Sequence, residues 1–319
     1  MNRFFDSVLL VQLGSPREAA PAAVEDYLLS FLGDPHTLGN PPPFWNALLK
    51  HGIAPRRSKA SAKKYAAMVQ AFEGSGMPLD FYTRRFAEGV ARECKAEFPV
   101  FYAYQHGCSP SIQDAFTEIA SRNLKSLLVV PLYPQYSGAT SGAVMAQVQK
   151  VATAFPEIKV SFEPSFGSRH YWAVHIGRKI KEQWNEPTHI VVSWHGVQKK
   201  RILQGDPYQK ECEQSFALIK DVLGTTVPMI QSYQSRFGFV KWLSPSTRKV
   251  LRGLGKQKAR VLVVCPAFTA DNLETLYEAD VELREVFERS GGLDFKRVPC
   301  LNDDVTWVRD FSSALLRKV

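Results

Sequence analysis

Short, largely apolar runs recur along the 319 residues, and longer amphipathic segments separate most of them. Runs of this length are too short for a buried helix, and they are typical of strands whose two faces are both covered in a parallel sheet. We predict eight such strands, at Val8–Leu13, Val100–Ala103, Leu127–Leu132, Val160–Glu163, Ile190–Ser193, Met229–Tyr233, Val261–Val264 and Lys296–Val298.

The segments between these runs show the spacing of helices with one apolar face. Strands that alternate with helices indicate βαβ units and an α/β fold. Right-handed crossovers then place helices on both faces of each sheet. The predicted helices are Ala22–Phe31, Ser61–Phe72, Thr83–Glu97, Ile112–Ser121, Ala143–Ala154, Tyr171–Gln183, Lys210–Val222, Leu283–Arg289 and Thr306–Leu316.

The eight predicted strands divide into two groups of four, which predicts two similar doubly wound domains at residues 1–155 and 156–319. A weak internal repeat supports this division, because residues 125–133 resemble residues 259–268 and residues 8–14 resemble residues 190–196. We expect two four-stranded parallel sheets that face a central cleft. The last helix, residues 305–318, is the segment expected to pack back on the first domain.

The composition limits the classes of partner. A net charge of +9 and a pI of about 9.3 fit an anionic partner, although a surplus of basic residues also serves solubility. No helix-turn-helix, ribonucleoprotein or zinc-finger motif is present, so we expect no nucleic-acid partner. No apolar stretch is long enough for a transmembrane helix, and the first strand begins near Ser7. A cytoplasmic protein is expected.

Motifs of several common enzyme classes are missing from the sequence. It contains no phosphate-binding loop, no dinucleotide fingerprint after the first strand, no nucleophile elbow and no closed zinc-site spacing. The remaining candidates for chemistry are a histidine and a group of acids.

His195 and Glu274 each follow the end of a predicted strand. Ligands of open α/β sheets bind beyond the carboxyl ends of the strands, so a base and an acid are expected at one site. With a helix starting near Ala270, Asp271, Glu274 and Glu278 would form one acidic stripe suited to a divalent cation in transit. The alternatives are a structural histidine, and acids that complement the helix dipole.

Two loops have unusual composition. Residues 39–57, here called the lip, contain a run of three consecutive prolines and aromatics outside an obvious core pattern, and they end in Arg56 and Arg57. This composition suits either a membrane interface or an ordinary surface excursion. The loop at residues 133–142 contains hydroxyls that precede a helix. Those groups would either hold an anion or cap the helix.

Nine segments, in order, resemble the ferrochelatase family in its bacterial type. They are Leu13–Pro16, Pro55–Ser58, Gly74-Ser75 with Pro78-Leu79, Pro131–Ser137, His195-Gly196, Gly205–Tyr208, Gln234–Arg236 with Gly238 and Trp242-Leu243, Leu273–Leu276, and Leu301–Asp303. Each motif is modest alone, but nine in the family's order are specific.

The resemblance implies an enzyme, a lyase of haem biosynthesis that inserts Fe²⁺ into protoporphyrin IX with release of two protons. His195 would accept protons and act with Glu274 on the metal, while Asp271 and Glu278 would form the acidic route. The implied porphyrin contacts are Leu13, Arg56, Arg57, Tyr82, Tyr136, Ser137, Trp242 and Phe268. The resemblance also implies a porphyrin partner and peripheral contact of the lip with the inner membrane.

The chain departs from the family pattern at several positions. The arginine of a family segment is absent from Gln105–Pro110, and Asn272 stands where many relatives have a better metal ligand. Some relatives hold a [2Fe–2S] cluster through an internal cysteine and a C-terminal cysteine group. Gly138 takes the internal position and the sequence ends at Val319 without that group, so we predict no cluster ligands and no permanently bound cofactor.

Three alternatives stay open. In the first, the substrate is coproporphyrin instead of protoporphyrin, although Leu273–Leu276 and the lip resemble the protoporphyrin branch more. In the second, the chain is a non-catalytic tetrapyrrole carrier, which the altered segment Gln105–Pro110 supports. In the third, the protein is a chelatase for an earlier corrinoid precursor.

Overall fold

The computed structural model describes residues 5–38, 42–236 and 240–318. Each of the eight predicted strands is present, and the apolar runs do form the interior of the sheets. The strands are β1 (Ser7–Gln12), β2 (Val100–Tyr104), β3 (Ser126–Pro131), β4 (Lys159–Phe162), β5 (His189–His195), β6 (Met229–Gln234), β7 (Arg260–Val264) and β8 (Asp294–Arg297).

The strands form two four-stranded parallel sheets with the same connectivity. The order is β2-β1-β3-β4 in the first sheet and β6-β5-β7-β8 in the second. All six residues of β1 are buried, so both faces of this central strand are covered. This burial explains why a central strand such as β1 is a continuous apolar run, whereas the edge strand β4 alternates between exposed and half-buried residues. The predicted fold class, two similar doubly wound α/β sheets, is confirmed.

The chain divides into two compact units, residues 1–165 with 303–319, and residues 166–302. The first unit extends past residue 155 because β4 pairs with β3, with Leu127 opposite Val160. Its helices are α1 (Pro21–Gly33), α2 (Pro35–Leu38), α3 (Trp45–Leu48), α4 (Ala54–Ala71), α5 (Pro78–Cys94), α6 (Ile112–Ser121), α7 (Ser141–Ala152) and α13 (Val305–Leu316), with a π-helix at Leu49–Ile53.

Helix α13 packs on α5 within the first unit. The Trp307 ring stacks on Phe86 at a centroid distance of 5.8 Å and also contacts Phe311. A Cβ at Gly89 would approach Val308 to 2.9 Å, so the two helices meet closely at that glycine. The last helix therefore contributes large aromatics to the core of the first unit.

The second unit contains α8 (His170–Glu182), α9 (Lys199–Leu203), α10 (Tyr208–Leu223), α11 (Thr247–Lys256), α12 (Arg284–Glu288) and a π-helix at Glu274–Leu283. The sequence analysis did not predict α11, because Gly253 and Gly255 lower its helix propensity. Buried Leu251 and Leu254 place one face of α11 against the sheet, and this burial outweighs the propensity. In the described part of the chain, no helix is long and apolar enough to cross a membrane.

Candidate functional site

His195 is the last residue of β5, where a polar side chain ends an apolar strand. Two contacts hold the backbone at this point. The buried Tyr208 hydroxyl donates to the His195 carbonyl oxygen at 3.0 Å, and the Gly196 N–H donates to the Gln234 carbonyl oxygen at 2.9 Å. The imidazole is therefore attached to a fixed strand end at the carboxyl edge of the sheet, where ligands of α/β folds bind.

One hydrogen bond determines the tautomer of neutral His195. Its Nδ1 atom lies 2.9 Å from the carbonyl oxygen of Gly196, which can only accept. Nδ1 therefore carries the proton, and Nε2 keeps a lone pair. A neutral histidine in this tautomer can accept a proton at Nε2.

Glu274 begins the π-helix Glu274–Leu283 in the second unit. Its side chain is partly exposed, but desolvation by the surrounding protein raises its carboxyl pKa above the ordinary value. His195 acts in the opposite direction and lowers that pKa, while Glu278 raises it. The Glu274 carboxyl therefore lies close enough to the imidazole for His195 to lower its pKa.

The predicted helix start near Ala270 is wrong, because the helical backbone begins at Leu273 and Asp271 precedes it. Asn272 explains this start, because its Oδ1 accepts the N–H groups of Glu274 and Thr275 at 3.0 and 3.1 Å. An amide oxygen in this role satisfies donors that have no partner in the first turn of a helix. The predicted helical stripe is therefore limited to Glu274 and Glu278.

Asp271 is enclosed by donors. Its carboxylate accepts from Arg297 at 2.7 Å and from the Thr275 hydroxyl at 2.8 Å. The Asn302 amide and the Cys300 N–H complete the set at 2.9 and 3.4 Å. With only 3% of its surface exposed, Asp271 joins the loop after β7 to the end of β8.

Glu278 lies one turn after Glu274 in the π-helix. Its carboxylate accepts the backbone N–H of Ser235 at 2.7 Å and also the Ser235 hydroxyl. Ser235 has a φ of +59°, a left-handed conformation that L-residues seldom adopt. The residue after β6 therefore turns its N–H toward this acid.

Phe268 and Trp242 lie near His195. The Phe268 ring meets the imidazole edge to face, with centroids 6.1 Å apart and planes at 78°. Trp242 is buried, and a Cβ at Gly196 would approach its ring to 3.4 Å. The same Cβ would lie only 2.5 Å from the Gln234 carbonyl oxygen, so the close approach of Gly196 to the end of β6 requires a glycine here.

The remaining predicted contacts belong to the first unit. Leu13 and Tyr136 follow β1 and β3, and Tyr82 lies on α5 between the rings of Phe72 and Phe81. Ser137 is buried, and its hydroxyl accepts the Ala139 N–H at 3.2 Å, so it stabilises the turn before α7. Arg56 and Arg57 are exposed on α4. Gly39, Asn40, Pro41 and Gly238, which belong to the lip and to one family motif, lie outside the described residues.

The sequence analysis gave no role to three residues that contact the candidate acids. Gln234 ends β6, Ser235 follows it, and Arg297 ends β8. Polar side chains at the carboxyl ends of neighbouring parallel strands were the available signal. Among the described residues, no group of three or more His, Cys, Asp or Glu side chains is arranged to hold a metal ion.

Comparison with known proteins gives the same fold. SirB from Bacillus subtilis with Fe3+ is similar at a TM-score of 0.57 and 10% identity, over 98% of this chain and 94% of that chain. The sirohydrochlorin chelatase SirB from Bacillus subtilis subspecies spizizenii, in complex with cobalt, is similar at 0.56 and 12%, with the same coverage. A family model described as Ferrochelatase matches residues 6–318. Because this match covers nearly the whole chain, the protein belongs to the Ferrochelatase family.

Proposed function

We propose that this protein is a ferrochelatase, which inserts Fe²⁺ into protoporphyrin IX and releases two protons. Membership of the family supports a chelatase-type enzyme acting on a tetrapyrrole. The observation that carries the proposal is the pairing of His195 and Glu274. Neutral His195 keeps a lone pair on Nε2, and Glu274 has a carboxyl pKa that His195 lowers.

The chemistry requires a proton acceptor and a weak metal ligand. A free-base porphyrin has two N–H protons, and both must leave as the metal enters. His195 Nε2 would accept these protons in turn and pass them to solvent. Glu274 would attract the cation, and one imidazole with one carboxylate binds it weakly enough for transfer to the ring. Fe²⁺ and the porphyrin are substrates in this scheme, and no resident cofactor takes part.

The other residues have subordinate parts in the proposal. Glu278 would add negative charge beside Glu274 on the acidic route, whereas Asp271 would act by holding the loop that precedes the π-helix. Phe268 and Trp242 would supply apolar surface for the macrocycle. Resemblance to the family supports the porphyrin contacts in the first unit, Leu13, Arg56, Arg57, Tyr82, Tyr136 and Ser137.

The test is metal insertion followed by visible spectroscopy, with Fe²⁺ or Zn²⁺ and, in parallel, protoporphyrin IX, coproporphyrin and sirohydrochlorin. We expect turnover with protoporphyrin IX, and loss of turnover with retained porphyrin binding in His195→Ala. Binding without turnover in the wild type would instead indicate a carrier. Faster turnover with coproporphyrin, or with sirohydrochlorin and Co²⁺, would assign the enzyme to another tetrapyrrole.

We also propose peripheral membrane contact of a cytoplasmic enzyme through the lip. Phe44 and Leu48 are 65% and 45% exposed, whereas the Trp45 ring is held by its N–H bond to the Leu32 carbonyl oxygen at 2.9 Å. Exposed apolar side chains near basic residues favour a lipid interface. A Phe44→Ser/Leu48→Ser double variant should bind anionic vesicles less than the wild type. Leu203→Ser, at an 88% exposed leucine in the other unit, is the control. Equal binding of all three proteins would refute the proposal.

A further inference from the structure

Gln234, the last residue of β6, contacts the backbone on both sides of the candidate site. We propose that Gln234 is the positioning residue that holds His195 and Glu274 in their working geometry. This inference rests on the proposed function. Its backbone carbonyl oxygen accepts the N–H of Gly196, and its side-chain amide donates to the Glu274 carbonyl oxygen at 3.0 Å. One residue thus connects the strand that ends at the base with the helix that starts at the acid.

The amide orientation of Gln234 follows from its neighbours. The buried Ser193 hydroxyl donates to its Oε1 at 2.6 Å, and the Cys265 thiol donates to the same oxygen at 3.3 Å. The Nε2 group must then face the Glu274 carbonyl oxygen, which can only accept. Thr247 and Ser232 extend the network behind Ser193, with oxygen separations of 2.7 and 3.0 Å. The side chain is therefore held at both ends inside the protein.

Only an amide of this length satisfies all of these groups. A glutamate has the same shape but no donor for the Glu274 carbonyl oxygen, and it would place a buried carboxylate beside the first turn that carries Glu274. A methionine keeps the length but offers no strong donor or acceptor, so the Ser193 hydroxyl would lose its partner. Because Gln234 is only 3% exposed, water cannot easily replace either of these contacts.

Ser235, the residue after Gln234, makes a second set of contacts with the π-helix. The Ser235 N–H and hydroxyl bind the Glu278 carboxylate, four residues after Glu274. A π-helix has wider turns than an α-helix, so residues four apart lie on nearly the same side. The end of β6 therefore fixes the first turn of the π-helix through one backbone carbonyl and one side chain. The placement of Glu274 relative to His195 depends on this end of the strand.

The test is a double-mutant cycle in metal insertion with Gln234→Met and Glu274→Gln. A small displacement of a reacting group lowers the rate by roughly 100-fold, so Gln234→Met should reduce kcat on that scale with little change in the KM for porphyrin. If Gln234 acts through Glu274, the substitution should have almost no further effect in the Glu274→Gln background. Gln234→Glu, which keeps the shape, should also lose kcat. Additive losses, or a loss confined to KM, would overturn the inference.

A matched control and a second readout separate positioning from stability. Ser215→Ala removes a buried hydrogen bond to the Gly167 carbonyl oxygen in the same unit and should leave kcat unchanged. Amide hydrogen exchange at residues 274–278 should become faster in Gln234→Met but not in Ser215→Ala, because the first turn of the π-helix loses its contact with β6. Unchanged exchange would overturn the inference even if the wild type inserted no metal. Absence of wild-type turnover alone would overturn only the proposed function.

Discussion

Arg297 and Asp271 form an ion pair inside the second unit, with Nη1 and Oδ1 2.7 Å apart and side-chain exposures of 8% and 4%. Burial disfavours the charged guanidinium, but Asp271 and nearby groups raise the pKa of Arg297 above its ordinary value. Arg297 also bonds Asp280 of the π-helix at 3.2 Å. The pair thus joins the loop before this helix to the last strand of the sheet, beside the candidate acid Glu274.

The first prediction concerns this pair. Asp271→Asn leaves a buried guanidinium with only one carboxylate partner, so the free energy of unfolding should fall by about 3 kcal/mol. Glu118→Gln, which removes an exposed pair with Arg122, should cost less than about 1 kcal/mol. Urea denaturation at neutral pH measures both. Equal, small losses would show that Asp271 is not a structural anchor.

The second prediction is the pH dependence of metal insertion. Burial raises the pKa of Glu274 above 4.5, with His195 opposing, and attraction of the cation needs the ionised form. We expect kcat to rise with pH as Glu274 ionises, through a pKa above 4.5. This rise, the acid limb of the pH–rate profile, should disappear in Glu274→Gln. Glu285→Gln, at an exposed acid paired with Arg289, should keep the limb. An acid limb that persists in Glu274→Gln would assign it to another group.

The raised pKa of Glu274 also predicts a difference in stability between the wild type and Glu274→Gln. A carboxyl whose pKa is raised on folding stabilises the native state below its unfolded pKa, and this contribution is lost as the pH rises through the folded pKa. At neutral pH, Glu274→Gln should therefore be at least as stable as the wild type while inserting metal poorly. A marked loss of stability in thermal unfolding would show that the carboxylate is mainly structural.

The third prediction concerns His106 in the first unit. Its Nδ1 lies 2.8 Å from the Ser30 hydroxyl and its Nε2 lies 3.9 Å from Asp34. Burial lowers the pKa of His106 from 6.5 to about 4, with Asp34 opposing. The unfolded chain therefore takes up this proton first as the pH falls from 6.5 toward 4. We expect this group to remove about 3 kcal/mol of stability over that range.

His106→Gln should flatten this decline in urea denaturation measured at several pH values, since the variant has no group to protonate. His51→Gln, at an exposed histidine, is the control. If both variants and the wild type lose stability in parallel, His106 does not contribute to the acid sensitivity.

The fourth prediction compares two glycines of α11. A Cβ at Gly255 would lie 2.6 Å from the Phe287 carbonyl oxygen and 2.7 Å from Ser290 Cβ, whereas a Cβ at Gly253 meets nothing within 4 Å. Gly253→Ala should stabilise the protein by about 0.5–1 kcal/mol through helix propensity. Gly255→Ala should destabilise it by roughly 1–3 kcal/mol, because backbone must move. Opposite shifts in unfolding temperature would confirm the packing of α11 on the segment after it, and two positive shifts would contradict it.

The strands were predictable because their signal is local. Residues buried on both faces must be apolar, so β1, β3 and β7 are visible as continuous runs, and His195 is visible as the polar residue that ends one. Helix α11 was missed for the opposite reason. Its glycines argue against a helix, and only close contact with Phe287, some thirty residues later, makes Gly255 favourable there.

The acids near Glu274 show where local reasoning stops. Asp271 and Glu274 are three residues apart and look equivalent in the sequence. Asp271 is enclosed by Arg297 and other donors, whereas Glu274 has a carboxyl pKa that burial raises and His195 lowers. The difference depends on a partner 26 residues away, which reaches Asp271 only because β8 lies beside β7. Likewise, Gln234 reaches Glu274 across 40 residues. The sequence alone therefore determined the parallel sheets, the strand ends and the family, because periodic burial and motif order are written in neighbouring residues. Only the tertiary structure decided that Asp271, and not Glu274, is held in the ion pair with Arg297, because the charge that neutralises an acid comes from a distant strand.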